Sequence, residues 1–185
     1  MSATWFIADP HFQHEGIIKL CDRPFAGVRE MDECLLYSWN AVVRPNDTVI
    51  VVGDFAHRGT AGEAKRIFGR LHGKKHLIRG NHDGDDTLNL GWESVRDIAC
   101  VTVEGERLVL CHYPMLDWPG RHRGALQLYG HTHGRIRGHQ QSADIGVDVM
   151  GWAPVRISAI KEYMATLPPA PDPEANDLET EVPTP

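Results

Sequence analysis

The chain has 185 residues, 42% hydrophobic and 24% charged, a length and balance ordinary for one soluble globular domain with one sizeable core. The formal net charge of −6 is concentrated after residue 167, where six prolines and five acidic residues occur with no basic one; this leaves 19 basic against 20 acidic residues in the body. A near-neutral body excludes a broad electrostatic nucleic-acid surface, and the lack of any long apolar run or basic, apolar export signal excludes a membrane partner and points to the cytoplasm.

In chain order, "TWFIA" (4–8) reads as a buried strand, followed by a short helical pattern over 15–20. A stronger helix is predicted over 30–43, where Met31, Cys34, Leu35, Trp39 and Val42 recur at helical spacing. "DTVIVVGD" (47–54) is a strand, 61–71 a helix, and "KHLIRGN" (75–81) a strand again. Such alternation argues for a parallel or mixed sheet with helices outside. The second half changes character: "DIACVTV" (97–103) and "RLVLC" (107–111) flank "EGE" as a hairpin, "ALQLY" (125–129) and "ADIGVDV" (143–149) supply strands, and 157–167 is a closing helix. Residues 1–167 thus form one domain, and the proline-rich acidic segment 168–185 is expected to be a disordered tail. The four cysteines (21, 34, 100, 111) form no C-x-x-C pair, so they are expected to be reduced thiols and not metal ligands.

The informative regularity lies at the strand ends. Asp9 and His11 follow the first strand, Asp54 the second, and Asn81, His82 and Asp83 the third. His112 follows "LVLC", and His131 and His133 follow "LQLYG". Ligands of open α/β sheets bind at the carboxyl ends of strands, where loops converge. Gly53, Gly80 and Gly130 each precede one of these groups, where a missing side chain permits a sharp turn or a close approach. The donors are carboxylate, amide oxygen and imidazole, which favour Mn²⁺, Fe or Zn²⁺ over soft-metal chemistry. Seven candidates (Asp9, His11, Asp54, Asn81, His112, His131, His133) exceed the three or four protein ligands about one zinc-like ion, so two metals sharing a carboxylate are expected.

"DPH" (9–11), "GD" (53–54), "GNHD" (80–83), His112 and "GHTH" (130–133), in that order, resemble the calcineurin-like metallophosphoesterases, and "DPHFQHEGIIKLCDRPF" and "VDVMGWAPV" resemble a small bacterial and phage-type branch. The resemblance implies a four-layer α/β/β/α sandwich of two mixed sheets flanked by helices. It implies that Asp9, His11, Asp54 and His133 bind one divalent ion, Mn²⁺ first with Fe or Zn²⁺ as alternatives. Asp54 would bridge to a second ion completed by Asn81, His112 and His131. His82 would stand over the site as a proton donor oriented by Asp83.

The implied activity is hydrolysis of phosphodiesters by a metal-bridging hydroxide, two ions about 3.5–4 Å apart lowering the pKa of a shared water from 15.7 toward about 7. The substrate would be a phosphoester, nucleotide-like compounds included. His14 and Arg58 lie just past the Asp9 and Asp54 loops as candidates for holding substrate phosphate, although His57 stands where "GDFAHRG" would carry an aspartate in the phosphoprotein phosphatases. Arg23 is read as structural. Phosphomonoester hydrolysis, phosphoprotein phosphatase action included, and a metal-stabilised scaffold without turnover remain the alternatives.

Overall fold

The computed structural model describes residues 2–171. Its first half runs β1 (Thr4–Ile7), α1 (Glu15–Leu20), α2 (Val28–Val42), β2 (Thr48–Val52), α3 (Ala61–Arg70), β3 (Lys74–Ile78), α4 (Asp85–Leu88) and β4 (Ser94–Arg96). These strands form a sheet in the order β1-β2-β3-β4, every pair parallel. Successive right-handed crossovers that advance in one direction put their helices on one face of a sheet. Here α1, α2 and α3 bury Ile17, Leu35, Trp39, Ile67 and Phe68 against Ile7, Val49, Val51 and Leu77. The alternate residues Phe6, Ile50, Val52 and Ile78 point the other way, as the period of two requires.

That second face packs on another sheet. β5 (Ile98–Val103), β6 (Glu106–Cys111), β7 (Leu126–Tyr129) and β8 (Ser142–Asp144) lie in sequence order, with β5–β6 antiparallel and the other pairs parallel. Glu104 and Gly105 both have positive φ in the β5–β6 turn, which matches the twist of a hairpin. Leu108, Leu110, Leu128 and Ala143 meet the first sheet, and α6 (Ile157–Ala165) adds Ile157, Ile160 and Met164 to the same core. The outer cover of the second sheet is thin: Met115, Trp118 and Ala125 lie over Val109, in a segment whose regular structure is a single 3-10 turn at Arg121–Arg123.

Several sequence expectations shift. One sheet is mixed, whereas the first is parallel throughout and gains its antiparallel neighbour only as a single bridge between Phe6 and Val155. The strand expected over 143–149 ends at Asp144 and gives way to α5 (Val147–Met150). The Asp144 carboxylate explains the break, because it accepts hydrogen bonds from the Gly146 N–H at 2.8 Å and the Gly134 N–H at 3.0 Å and so turns the chain. The short elements β4 and α4 carry too few apolar residues to show a period. Ordered contacts also pass the expected boundary at 167: the Pro168 carbonyl accepts from the Gln140 N–H and that of Pro171 from Arg121 Nη2, both at 2.9 Å. The rest of the expected tail, 172–185, lies outside the described residues.

Candidate metal centre

The loops after β1, β2, β3, β6 and β7 converge at the carboxyl ends of the strands of the two face-packed sheets, where Ala8 and Gly146 form a bridge. The Asp9 N–H donates to the Gly53 carbonyl, His11 N–H to Asp54, Gly130 N–H to His112, and Val147 N–H to Ala8, all between 3.0 and 3.1 Å. Close approach at two of these crossings requires glycine. A Cβ at Gly130 would stand 2.3 Å from Asp9 Oδ2, and one at Gly80 would stand 2.2 Å from Asp54 Oδ1.

Two sets of donors result. Ligand atoms of Asp9, His11 and His133 lie within 4.8 Å of one another, and so do those of Asp54, His112 and His131. Asp54 Oδ2 is 3.4 Å from His11 Nε2 and 3.4 Å from His112 Nε2, so one oxygen faces both sets. Asn81 joins the second, its Oδ1 3.2 Å from His112 Nε2. All seven expected ligands are thus brought together.

The backbone is unusual at the same places. Among the described residues nine non-glycine residues have positive φ, and five of them are Asp9, His11, Asp54, His131 and His133. The left-handed region costs such residues about 1–3 kcal/mol each and persists where surrounding structure enforces it, characteristically at functional sites.

The state of His11 fits cation binding. His11 Nε2 is buried without a hydrogen-bond partner among the described residues, yet faces the Asp9 and Asp54 carboxylates. Burial holds the His11 imidazole down to about 2, so it presents a neutral lone pair, the form a metal needs. Burial also pushes the Asp9 carboxyl up to about 7, against the pull of His112 and His133. Burial works the same way on Asp54, but His112 and His11 outweigh it and hold that carboxyl down at about 2. A buried unpartnered nitrogen between carboxylates is the feature a divalent cation would satisfy.

Outer contacts aim the imidazoles. His112 Nδ1 lies 2.9 Å from the Val52 carbonyl, which directs Nε2 inward, and His133 Nδ1 lies 2.7 Å from Asp148 Oδ2. Burial alone would lower the His133 pKa, but Asp148 and the Cys21 thiol carry it up to about 10. Arg23 binds Asp148 through Nε (2.9 Å) and Nη2 (2.8 Å), and also donates to the carbonyls of Asp9 and Pro10. The structural reading of Arg23 therefore gains content: it clamps the Asp9 loop to the support of His133. Asp148 and Cys21 were not anticipated. Cys21, His133 and Asp148 lie mutually within 4.8 Å, so one free thiol does reach the margin of the centre.

Other candidates take different places. Asp83 was expected to orient the His82 ring, but its carboxylate accepts from the backbone N–H groups of Asp54 (2.9 Å), Phe55 (2.8 Å) and Gly80 (2.8 Å). Asp83 therefore shapes the Asp54 loop. His82 instead has the His57 ring beside it, centroids 4.2 Å apart, and its own N–H donates to Asp54 Oδ1. His14 is buried with Nδ1 3.2 Å from His11 Nδ1, which makes it a support for His11 and leaves Nε2 as its remaining polar atom. Arg58 is exposed, donates from Nε to His57 Nε2 at 3.0 Å, and lines a cleft of about 610 Å³ with His57, Asn81 and His82.

Two sheets that deliver carboxylates and imidazoles to one rim form an α/β architecture with a candidate metal centre. The calcineurin-like phosphoesterase profile matches residues 3–156, and the chain belongs to that family. It is similar to an uncharacterized protein of Methanocaldococcus jannaschii, 30% identical over 168 residues that cover 86% of this chain and 90% of the relative. The gene 66 protein of Mycobacterium phage L5 is 28% identical over 82% of this chain and 89% of its own. Among solved structures, a protein of unknown function from Aquifex aeolicus shares the fold with a TM-score of 0.70 at 24% identity, covering 88% of this chain and 100% of that one. No helix among the described residues is long and apolar enough to cross a membrane.

Proposed function

We propose that the chain hydrolyses phosphodiesters with the help of two divalent cations, Mn²⁺ foremost, with Fe or Zn²⁺ as rivals. The observation that carries this reading is the single Asp54 oxygen 3.4 Å from one imidazole of each donor set, the disposition of a ligand shared by two ions. Asp9, His11 and His133 would hold one ion, and Asn81, His112 and His131 the other. Once bound, such a pair supplies positive charge for a phosphoryl group and a Lewis acid for activating water.

The protein's own groups do the rest. His82, half-buried and lining the cleft, is the residue available to give a proton to the departing alcohol oxygen. Arg58, on the same wall, offers charge to non-bridging phosphate oxygens. His57, which accepts from Arg58 Nε, fixes the spacing between that guanidinium and His82. A nucleotide-like diester met in the cytoplasm suits this open site, and four free cysteines suit a reducing compartment.

Metal-loaded protein assayed on bis-p-nitrophenyl phosphate and p-nitrophenyl phosphate tests the proposal. Faster turnover of the diester supports it. Preference for the monoester returns the phosphatase alternative, and failure to cleave either leaves a metal-stabilised scaffold.

A further inference from the structure

A second cleft of about 540 Å³ borders the centre, lined by Arg79, Asn81, Asp97, Ile98 and Tyr113. It shares Asn81 and Asp83 with the cleft that holds His57, Arg58 and His82, so the two spaces meet at the Asn81 loop. Their chemistry differs. The first is lined by the imidazoles of His57 and His82 with Arg58, Asp85 and Asp86, whereas the second adds aromatic and aliphatic surface to its Arg79 and Asp97: Tyr113 is 46% and Ile98 48% exposed. The Tyr113 ring rests beside His131, centroids 4.7 Å apart, and beside His112 at 5.3 Å. Packing on these two rings fixes the tyrosine next to the expected position of the phosphate. Farther out, Arg79 and Asp97 form a partly exposed ion pair at 2.7 Å, offering donors and acceptors at the rim.

We infer that this second cleft receives the retained arm of the diester, and that the arm carries a planar heteroaromatic ring, a nucleoside, stacked on Tyr113. The inference rests on the phosphodiesterase reading and adds direction to it. The candidate proton donor His82 lines the first cleft and not the second, so the leaving alcohol departs on the His57–Arg58 side. In the balanced step, one P–O bond to the leaving arm breaks and one P–O bond to water's oxygen forms. Of the two protons of water, one ends on the departing alcohol by way of His82 and the other goes to solvent. The nucleoside monophosphate remains in the second cleft. A flat aromatic face beside paired hydrogen-bonding groups suits a base, which needs both a stacking surface and partners for its polar edge.

The test compares kcat/KM of the Mn²⁺-loaded protein on thymidine 5′-(p-nitrophenyl phosphate) and on methyl p-nitrophenyl phosphate. Wild type should favour the nucleoside substrate by about tenfold or more, the effect of one stacked base. Tyr113→Ala and Tyr113→Leu should collapse that ratio toward one, while Tyr113→Phe keeps it. A wild-type ratio near one, or a ratio unmoved by loss of the ring, would overturn the inference. Calorimetric binding of thymidine 5′-monophosphate against methyl phosphate to the same Mn²⁺-loaded proteins separates this from the activity itself. Tighter, Tyr113-dependent binding of the nucleotide without turnover would keep the cleft and sink the phosphodiesterase reading; equal binding would sink the cleft.

Discussion

Replacing Asp148 by asparagine removes a negative charge and one of two acceptor oxygens from a group that serves two donors at once. In the wild type, Oδ2 lies 2.7 Å from His133 Nδ1 and 2.8 Å from Arg23 Nη2, and Oδ1 lies 2.9 Å from Arg23 Nε. Asparagine offers one oxygen and one NH₂ group. Whichever way the amide turns, either the imidazole or the guanidinium faces a donor. The lost contact is a charge-assisted bond, worth about 1.5–3 kcal/mol. Loss of such a support costs metal affinity about 10–100-fold, or about 1.4–2.8 kcal/mol. The cost should fall on the ion held by Asp9, His11 and His133. The set of Asp54, His112 and His131 is steadied by the Val52 carbonyl instead, and should be spared. Calorimetric Mn²⁺ titration of metal-free Asp148→Asn should show one binding step weakened by this factor and the other unchanged, with a thermal melt in chelator checking that the fold persists. Two unchanged steps, or two weakened alike, would refute the proposed path from Arg23 through Asp148 to His133.

Gly130→Ala would set a methyl group 2.3 Å from Asp9 Oδ2 and 2.8 Å from the Ala8 methyl; metal analysis should show loss of the ion at Asp9, with a lower melting temperature from about 1–3 kcal/mol of overpacking. His82→Ala should leave metal content intact and slow alkyl diesters by about 10²–10⁴, but slow nitrophenyl esters much less, which a two-substrate rate comparison would read. Asp47 accepts from the Ala3 and Arg44 N–H groups and from Trp5 Nε1 at 2.8–3.0 Å, and these bonds hold its carboxyl down to about 2 from an ordinary 3.8. Because the folded pKa is depressed, its stabilisation is complete above about pH 4 and is lost as pH falls toward 2. The urea midpoints of wild type and Asp47→Asn should therefore differ at pH 7 and draw together as the pH falls through 2.

Much of the candidate centre was legible because each candidate ligand follows an apolar strand, and parallel strands carry their ends to one rim. The residues that escaped notice sit elsewhere. Asp148 lies in a one-turn helix where "ADIGVDV" alternates like a strand, and only the turn made by Asp144 reveals otherwise. Arg23 follows a short helix, and its guanidinium reaches partners 8 to 125 positions away along the chain. No local pattern encodes such a reach. Asp83 shows a different limit: adjacency to His82 says nothing of direction, and consecutive side chains in a tight turn diverge. The two layers of helix and parallel sheet followed from periodicity. The thin cover on the second sheet did not, since Met115 and Trp118 stand in an irregular segment.

The five left-handed residues at the rim carry a consequence for how this protein can change. Glycine in place of His131 or His133 would relax the local chain and remove a donor in the same stroke, yielding a sturdier molecule with an incomplete candidate centre. Selection for robustness alone would therefore erode the centre first, and only a scaffold as stiff as the paired sheets can keep these dihedral angles in place.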